Sequence, residues 1–196
     1  YMRGAPLTQV QTTALFEPVK TPQSTPPVAP LKSGAGRTVV PFNRIRQMTA
    51  EHMVRAKTVS PHGAQGVEVD FSSVEKVRRE KGGVWRAREG FSLTYLPFIA
   101  RAICDVITEF PNINSHVEGD NLVVYDQVNL SVAVDLNFQG LVAPVIQNAS
   151  AMTAGEIARA VADLAGRARS GQLTQDDYQG ATYTISNNGS FGTLFT

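Results

Sequence analysis

An α/β layer fold built on a mixed sheet is what this sequence predicts, and three observations lead there. Helical periodicity and strand-like runs alternate along the chain from residue 39 onward. The runs at 129–134 and 141–146 are apolar on both faces, as strands covered on two sides must be. Two Thr-led capping signals, Thr153 with Glu156 and Thr174 with Asp177, restart helices between those strands and a last β-rich run at 182–185.

Residues 1–38 stand apart. Six of the eleven prolines fall there, Pro26 and Pro27 adjacent, among Ala, Thr, Gln and Ser. Such a segment buries too little apolar surface to offset its ordering entropy, so an extended, semi-rigid linker is expected, either a free tether or an arm packed on a neighbouring subunit through Leu15 and Phe16. Residues 39–196 are expected to hold the folded domain. Ile45, Met48, Ala50 and Met53 recur at helical spacing and predict a first helix near 44–58, ending before Pro61. The run 66–71 alternates like a strand. Ser72 and Glu75 read as a capping box opening a charged helix through Arg79, and Gly82-Gly83 begins a loop to Gly90. An apolar helix is predicted over 93–110, with Pro97 in its first turn and Pro111 at its stop. Residues 116–125 predict a hairpin turning at Gly119-Asp120, and a turn through Gly140 joins the two apolar strands as antiparallel neighbours. The helix begun at Thr153 buries Ile157, Ala160, Val161, Leu164 and Ala168 and closes at Gly171.

Composition narrows the function classes. With 42% hydrophobic and 18% charged residues and a formal charge of +1, nothing points to nucleic acid or an anionic membrane as partner. Arg101 and Asp105 interrupt the most apolar stretch, which therefore reads as a core helix rather than a membrane span. Cys104 is the only cysteine, which excludes an internal disulfide and a cysteine metal cage; the reducing interior of a cell or organelle is expected. On the central helix Cys104 reads as buried packing. No residues have metal-ligand spacing with a supporting partner, so no metal is expected. Tyr1 is not an initiator, and the chain is expected to start inside a longer one.

The chemistry concentrates in the GATYTISNNGSFG run at 180–192. A β-rich run delivers the Ser186 hydroxyl into a turn rich in Asn and Gly, where it either donates at the mouth of a site or bonds its own backbone. No GxSxG elbow surrounds it, and the glycines follow no βα nucleotide pattern. Of the three histidines, His52 and His62 read as surface or corner residues. His116 and Asp120 imitate an HxxxD acid–base pair, but Asp120-Asn121 is turn chemistry and favours a hairpin.

Several segments together resemble one family: RQMTAEHM at 46–53, PH at 61–62 with EVD at 68–70, LTYLPF at 93–98, EFPNIN at 109–114, NLSVAVD at 129–135, GLVAPVI at 140–146, LT at 173–174 and TISN at 184–187. Over residues 39–196 they are similar to the catalytic domain of the 2-oxoacid dehydrogenase acyltransferases (dihydrolipoamide acyltransferase, the E2 component). The resemblance implies a chloramphenicol-acetyltransferase-like two-layer fold. It implies trimers that build a cubic (twenty-four-subunit) or dodecahedral (sixty-subunit) core, with upstream lipoyl and subunit-binding domains and partner E1 and E3 dehydrogenase components. The implied reaction moves an acyl group between dihydrolipoamide, carried as a lipoyl group on a separate domain, and coenzyme A.

In that scheme a histidine deprotonates the attacking thiol and Ser186 donates to the oxyanion from the facing subunit. Asn187 and Gly189 shape the Ser186 turn. Arg46 supports the aspartate of the histidine motif, or is an ordinary surface arginine. The family's DHRxxDG motif, which supplies the base, does not occur before Thr196, so the chain is expected to be inactive alone and part of a longer subunit. Asn188 is a further departure, standing where the family carries an apolar residue. Two other functions fit the same features: a non-catalytic core scaffold, and a free acetyltransferase acting on a small-molecule hydroxyl, against which the proline-rich leader speaks.

Overall fold

The computed structural model describes Gly36, residues 38–189 and Gly192. The chain divides into two units, residues 1–41 and 42–196. The expected linker lies outside the described residues except at Gly36 and Thr38.

Four helices and seven short strands form among the described residues of the second unit. In chain order they are α1 (Arg44–Val59), α2 (Ser72–Glu89), α3 (Leu96–Glu109), β1 (Ser115–Glu118), β2 (Asn121–Val124), β3 (Leu130–Val132), β4 (Val134–Asp135), β5 (Leu141–Val142), β6 (Val145–Ile146), α4 (Ala154–Arg169) and β7 (Tyr183–Ile185). A single 3₁₀ turn precedes α4, at Ala149–Ala151, and another precedes β7, at Gln175–Tyr178.

The sheet that matters is β6–β3–β7. β3 pairs antiparallel with β6 and parallel with β7, so the sheet is mixed. All three residues of β3 are buried, which explains why its sequence is apolar without alternation. α3 contributes Leu96, Ala100, Cys104 and Ile107 to the core, α4 contributes Ile157 and Leu164, and the strands contribute Leu130, Val132, Ile146 and Ile185. Cys104 is fully buried there, and that burial pushes its thiol pKa up. Arg101, the charge that interrupts α3, aims its guanidinium at the carbonyls of Ala149, Ser150 and Met152 and so caps the turn before α4. The hairpin forms as expected, with Glu118 opposite Asn121 and Gly119 at φ +58°. His116 stacks on Tyr125 at 5.4 Å within it, so the hairpin rather than an acid–base pair accounts for His116 and Asp120.

Three local expectations are corrected. No strand forms over 66–71; residues 61–70 are exposed and find no ladder partner among the described residues. Ser72 is not an N-cap. Phe71 holds that position, and the Asp70 carboxylate accepts both the Ser72 N–H (2.8 Å) and its hydroxyl (2.6 Å). Finally, α2 does not stop at Gly82-Gly83 but runs to Glu89 and ends at Gly90 in the left-handed region, φ +80°. Each glycine costs about 1 kcal/mol in a helix interior. Contacts beyond them offset that: Trp85 meets Phe91 edge-on at 5.7 Å, and Glu89 pairs with Arg159 of α4 at 3.0 Å.

Candidate active site

Ser186 is aimed by a chain of fixed contacts running back to α4. Thr153 opens that helix with a reciprocal capping box to Glu156. Near its other end Arg167 grips Asp177 with two hydrogen bonds, at 2.9 and 2.7 Å. Asp177 also accepts from the Thr174 N–H at 2.7 Å, and the guanidinium, then that N–H, hold its carboxyl well below the usual range. Asn129 continues the chain: its amide donates to the Gly180 carbonyl (2.9 Å) and its Oδ1 accepts from the Asn148 N–H (2.8 Å). β7 then lies parallel on β3, with Val132 opposite Ile185, and the Ala133 N–H donates to the Ile185 carbonyl at 3.1 Å. Ser186 is the next residue. It is exposed, and its hydroxyl has no partner among the described residues.

The turn after it is self-made. Asn187 Oδ1 accepts from the Gly189 N–H at 3.2 Å, an Asx turn, and a Cβ on Gly189 would stand 3.4 Å from that oxygen. Asn187, the residue after Ser186, lines a cleft of about 320 Å³; Ser186 itself is not among the residues that line it. Leu96, Val132, Val161 and Ala165 supply its apolar walls, while Asp135, Asn137 and Arg169 add polar groups. Asp135, Asn137 and Arg169 were missed in the sequence. Asp135 closes an apolar strand, which was the available signal; nothing local marks Arg169 as different from its neighbours on α4.

Arg46 lies on a separate element. Its Nη2 donates to the Phe138 carbonyl at 2.9 Å, and Asn43 Nδ2 donates to the Gln139 carbonyl at 2.9 Å. Together they fasten the start of α1 to the turn between β4 and β5, where Asn137 and Phe138 sit at φ +52° and +63°. Gly140 is required here because Ile45 Cγ2 would lie 2.8 Å from any Cβ. No cluster of three or more His, Cys, Asp and Glu able to hold a metal occurs among the described residues. No helix among them is long and apolar enough to cross a membrane.

Residues 34–196 match the family of 2-oxoacid dehydrogenases acyltransferase (catalytic domain). The chain belongs to that family. Among its relatives, the lipoamide acyltransferase component of the branched-chain alpha-keto acid dehydrogenase complex of Bacillus subtilis is 37% identical over 162 residues, 83% of this chain. The dihydrolipoyllysine-residue acetyltransferase component of the pyruvate dehydrogenase complex of Mycobacterium tuberculosis is 41% identical over 155 residues, 78% of this chain. The chain spans only 38% and 28% of the length of these two relatives.

Solved structures of the family share the fold. A probable dihydrolipoamide acetyltransferase from Listeria monocytogenes superposes with a TM-score of 0.80 at 36% identity, covering 83% of this chain and 69% of that one. Dihydrolipoamide acetyltransferase (E2p) of Azotobacter vinelandii, in which the roles of a serine, a histidine and an asparagine in the catalytic mechanism were investigated, gives 0.80 at 33%, covering 88% and 72%. The cubic core of the pyruvate dehydrogenase multienzyme complex gives 0.79 at 33% identity, with the same coverage. The acyltransferase fold of residues 42–189 is thus the one the family motifs implied.

Proposed function

We propose that this chain is the core portion of a dihydrolipoamide acyltransferase, passing an acyl group between dihydrolipoamide and coenzyme A. One observation carries the reading: an unpartnered serine hydroxyl at the tip of a buried-sheet strand, beside a cleft with apolar walls and amide groups. Both substrates end in flexible alkyl-amide arms bearing a thiol. Apolar walls suit the alkyl stretch, and the Asn137 and Asn187 amides suit the peptide-like links.

The incoming thiol loses its proton to a histidine base and attacks the thioester carbonyl. The carbon–sulfur bond to the first thiol breaks after a tetrahedral oxyanion forms, and that departing sulfur takes the proton back. Ser186 donates to the oxyanion; Asn187 and Gly189 hold the turn that aims it. Arg46 spends one guanidinium donor on the Phe138 carbonyl, and its remaining donors serve a carboxylate near the histidine. The family's histidine motif supplies the base from a second copy across a subunit boundary, so the working unit is a trimer within a larger core. Lipoyl domains and E1 and E3 components are its partners. The residues before 39 tether the lipoyl arm, raising its effective concentration at the cleft, and the protein works in the cytoplasm or mitochondrial matrix.

The test is Ser186→Ala in the full-length protein, with acyl transfer to coenzyme A as readout. A fall of about 10²–10³ is expected from losing one oxyanion donor. Unchanged turnover rejects the role, and a wild-type protein with no turnover favours the scaffold instead.

A further inference from the structure

We infer that Asn129 and Thr182 lock the register of β7 on β3 and are positioning residues of the acyl transfer, setting Ser186 without touching substrate. This rests on the oxyanion role proposed for Ser186 and names what holds that hydroxyl in place. The ladder pairs Leu130 with Tyr183, Ser131 with Thr184 and Val132 with Ile185. Extended by one residue each way, that register sets Asn129 level with Thr182 and Ala133 level with Ser186. The lock and the hydroxyl therefore stand at opposite ends of one ladder, about 13 Å apart at the rise of a parallel strand.

Three residue pairs hold a strand only weakly against sliding. Alternation resists a slip of one residue, because that would turn the buried Ile185 outward and Ser186 inward. It does not resist a slip of two, which keeps Tyr183 and Ile185 on their face and carries Ser186 about 7 Å along the sheet. Asn129 and Thr182 oppose that slip. The Asn129 N–H donates to Thr182 Oγ1 at 3.0 Å, and the Thr182 N–H returns a bond to the Asn129 carbonyl at 2.9 Å. The Asn129 amide donates to the Gly180 carbonyl at 2.9 Å, at a turn residue with φ +73°. Its Oδ1 accepts from the Asn148 N–H at 2.8 Å, two residues past the end of β6.

One side chain thus ties the start of β3 to the segment entering β7 and the segment leaving β6, across the whole width of the sheet. Asparagine suits the task because one partner is a backbone donor and the other a backbone acceptor. An ionised carboxylate of the same shape can only accept. Neither Asn129 nor Thr182 lines the cleft, so their effect on the reaction passes through Ser186.

Steady-state acyl transfer to coenzyme A by the full-length protein tests this in two backgrounds, wild type and Ser186→Ala. Asn129→Asp keeps the shape and the acceptor but sets an oxygen against the Gly180 carbonyl. Thr182→Val keeps the volume and removes the acceptor for the Asn129 N–H; it decides the matter if Asn129→Asp does not fold. Each is expected to lower kcat about tenfold or more with KM within about twofold, as for an interaction made only in the transition state. Thr182→Ser, which keeps the hydroxyl, recovers most of what Thr182→Val loses. In the Ser186→Ala background neither Asn129→Asp nor Thr182→Val lowers kcat further, because the residue through which they act is gone. An equal loss in both backgrounds, a loss confined to KM, or a folded Thr182→Val protein with wild-type kcat overturns the positioning role and leaves Ser186 as donor. Unchanged turnover in Ser186→Ala itself overturns the donor reading, and the positioning role with it.

Discussion

Compared with the slab made by α3, α4 and the β6–β3–β7 sheet, the stretch from α1 through residue 71 is scarcely attached. The slab buries Leu130, Ile157 and Cys104 completely and ties its connections with paired side-chain bonds at Arg101, Asn129 and Arg167. The other region is held by the Asn43 and Arg46 contacts at one end and by Phe71, edge-on to Tyr95 at 5.7 Å, at the other, and leaves most of the apolar side chains between them exposed. Burial of apolar surface is what the first region has and the second lacks. The serine belongs to the first region.

Substitutions sharpen that contrast. Ile157→Ala, in the centre of the slab, is expected to cost about 2–5 kcal/mol by chemical denaturation. Asp177→Ala comes next: it breaks the Arg167 grip and the Thr174 cap together, lowering Tm and reducing acyl transfer by loosening β7. A variant with lower Tm but unchanged transfer separates the Asp177 clamp from the aim of Ser186. Glu75 gives a smaller, pH-dependent effect. Arg78 first, then the Tyr95 hydroxyl and Arg79, lower its pKa from the ordinary value of 4.5 to about 2. Because the folded value is the lower one, its contribution is present above 4.5 and disappears as pH falls toward 2. The Tm difference between wild type and Glu75→Gln is therefore largest near neutrality and vanishes at the acid end. Least affected is Met53→Ala: within about 0.5 kcal/mol for the isolated chain, because nothing covers that side chain. A large loss there means that α1 is buried in the protein measured.

What the sequence disclosed follows the same division. The capping boxes at Thr153 and Thr174, the Gly119-Asp120 hairpin and the two-sided apolar strands depend on neighbours a few residues away, and all form. The Gly82-Gly83 break failed because contacts from Trp85 and Glu89 to Arg159 of α4 override local propensity. The strand at 66–71 failed for the reverse reason, since alternation cannot supply the second strand that a ladder needs. At the site, Ser186 and its turn were visible in the last β-rich run. Arg169 and Asp135 were not, because they meet only after α4 folds back across the sheet.

That fold-back also governs when the Ser186 position is set during folding. β3 and β7 lie side by side, yet they are joined through the whole of α4, and the bond from the Asn129 N–H to Thr182 Oγ1 closes a sequence separation of 53 residues. Closing so long a loop must precede the pairing that rewards it, so the last strand docks late, after the local helices and the hairpin have formed. On a ribosome, the Ser186 hydroxyl acquires its bearing only once nearly every other described residue has emerged.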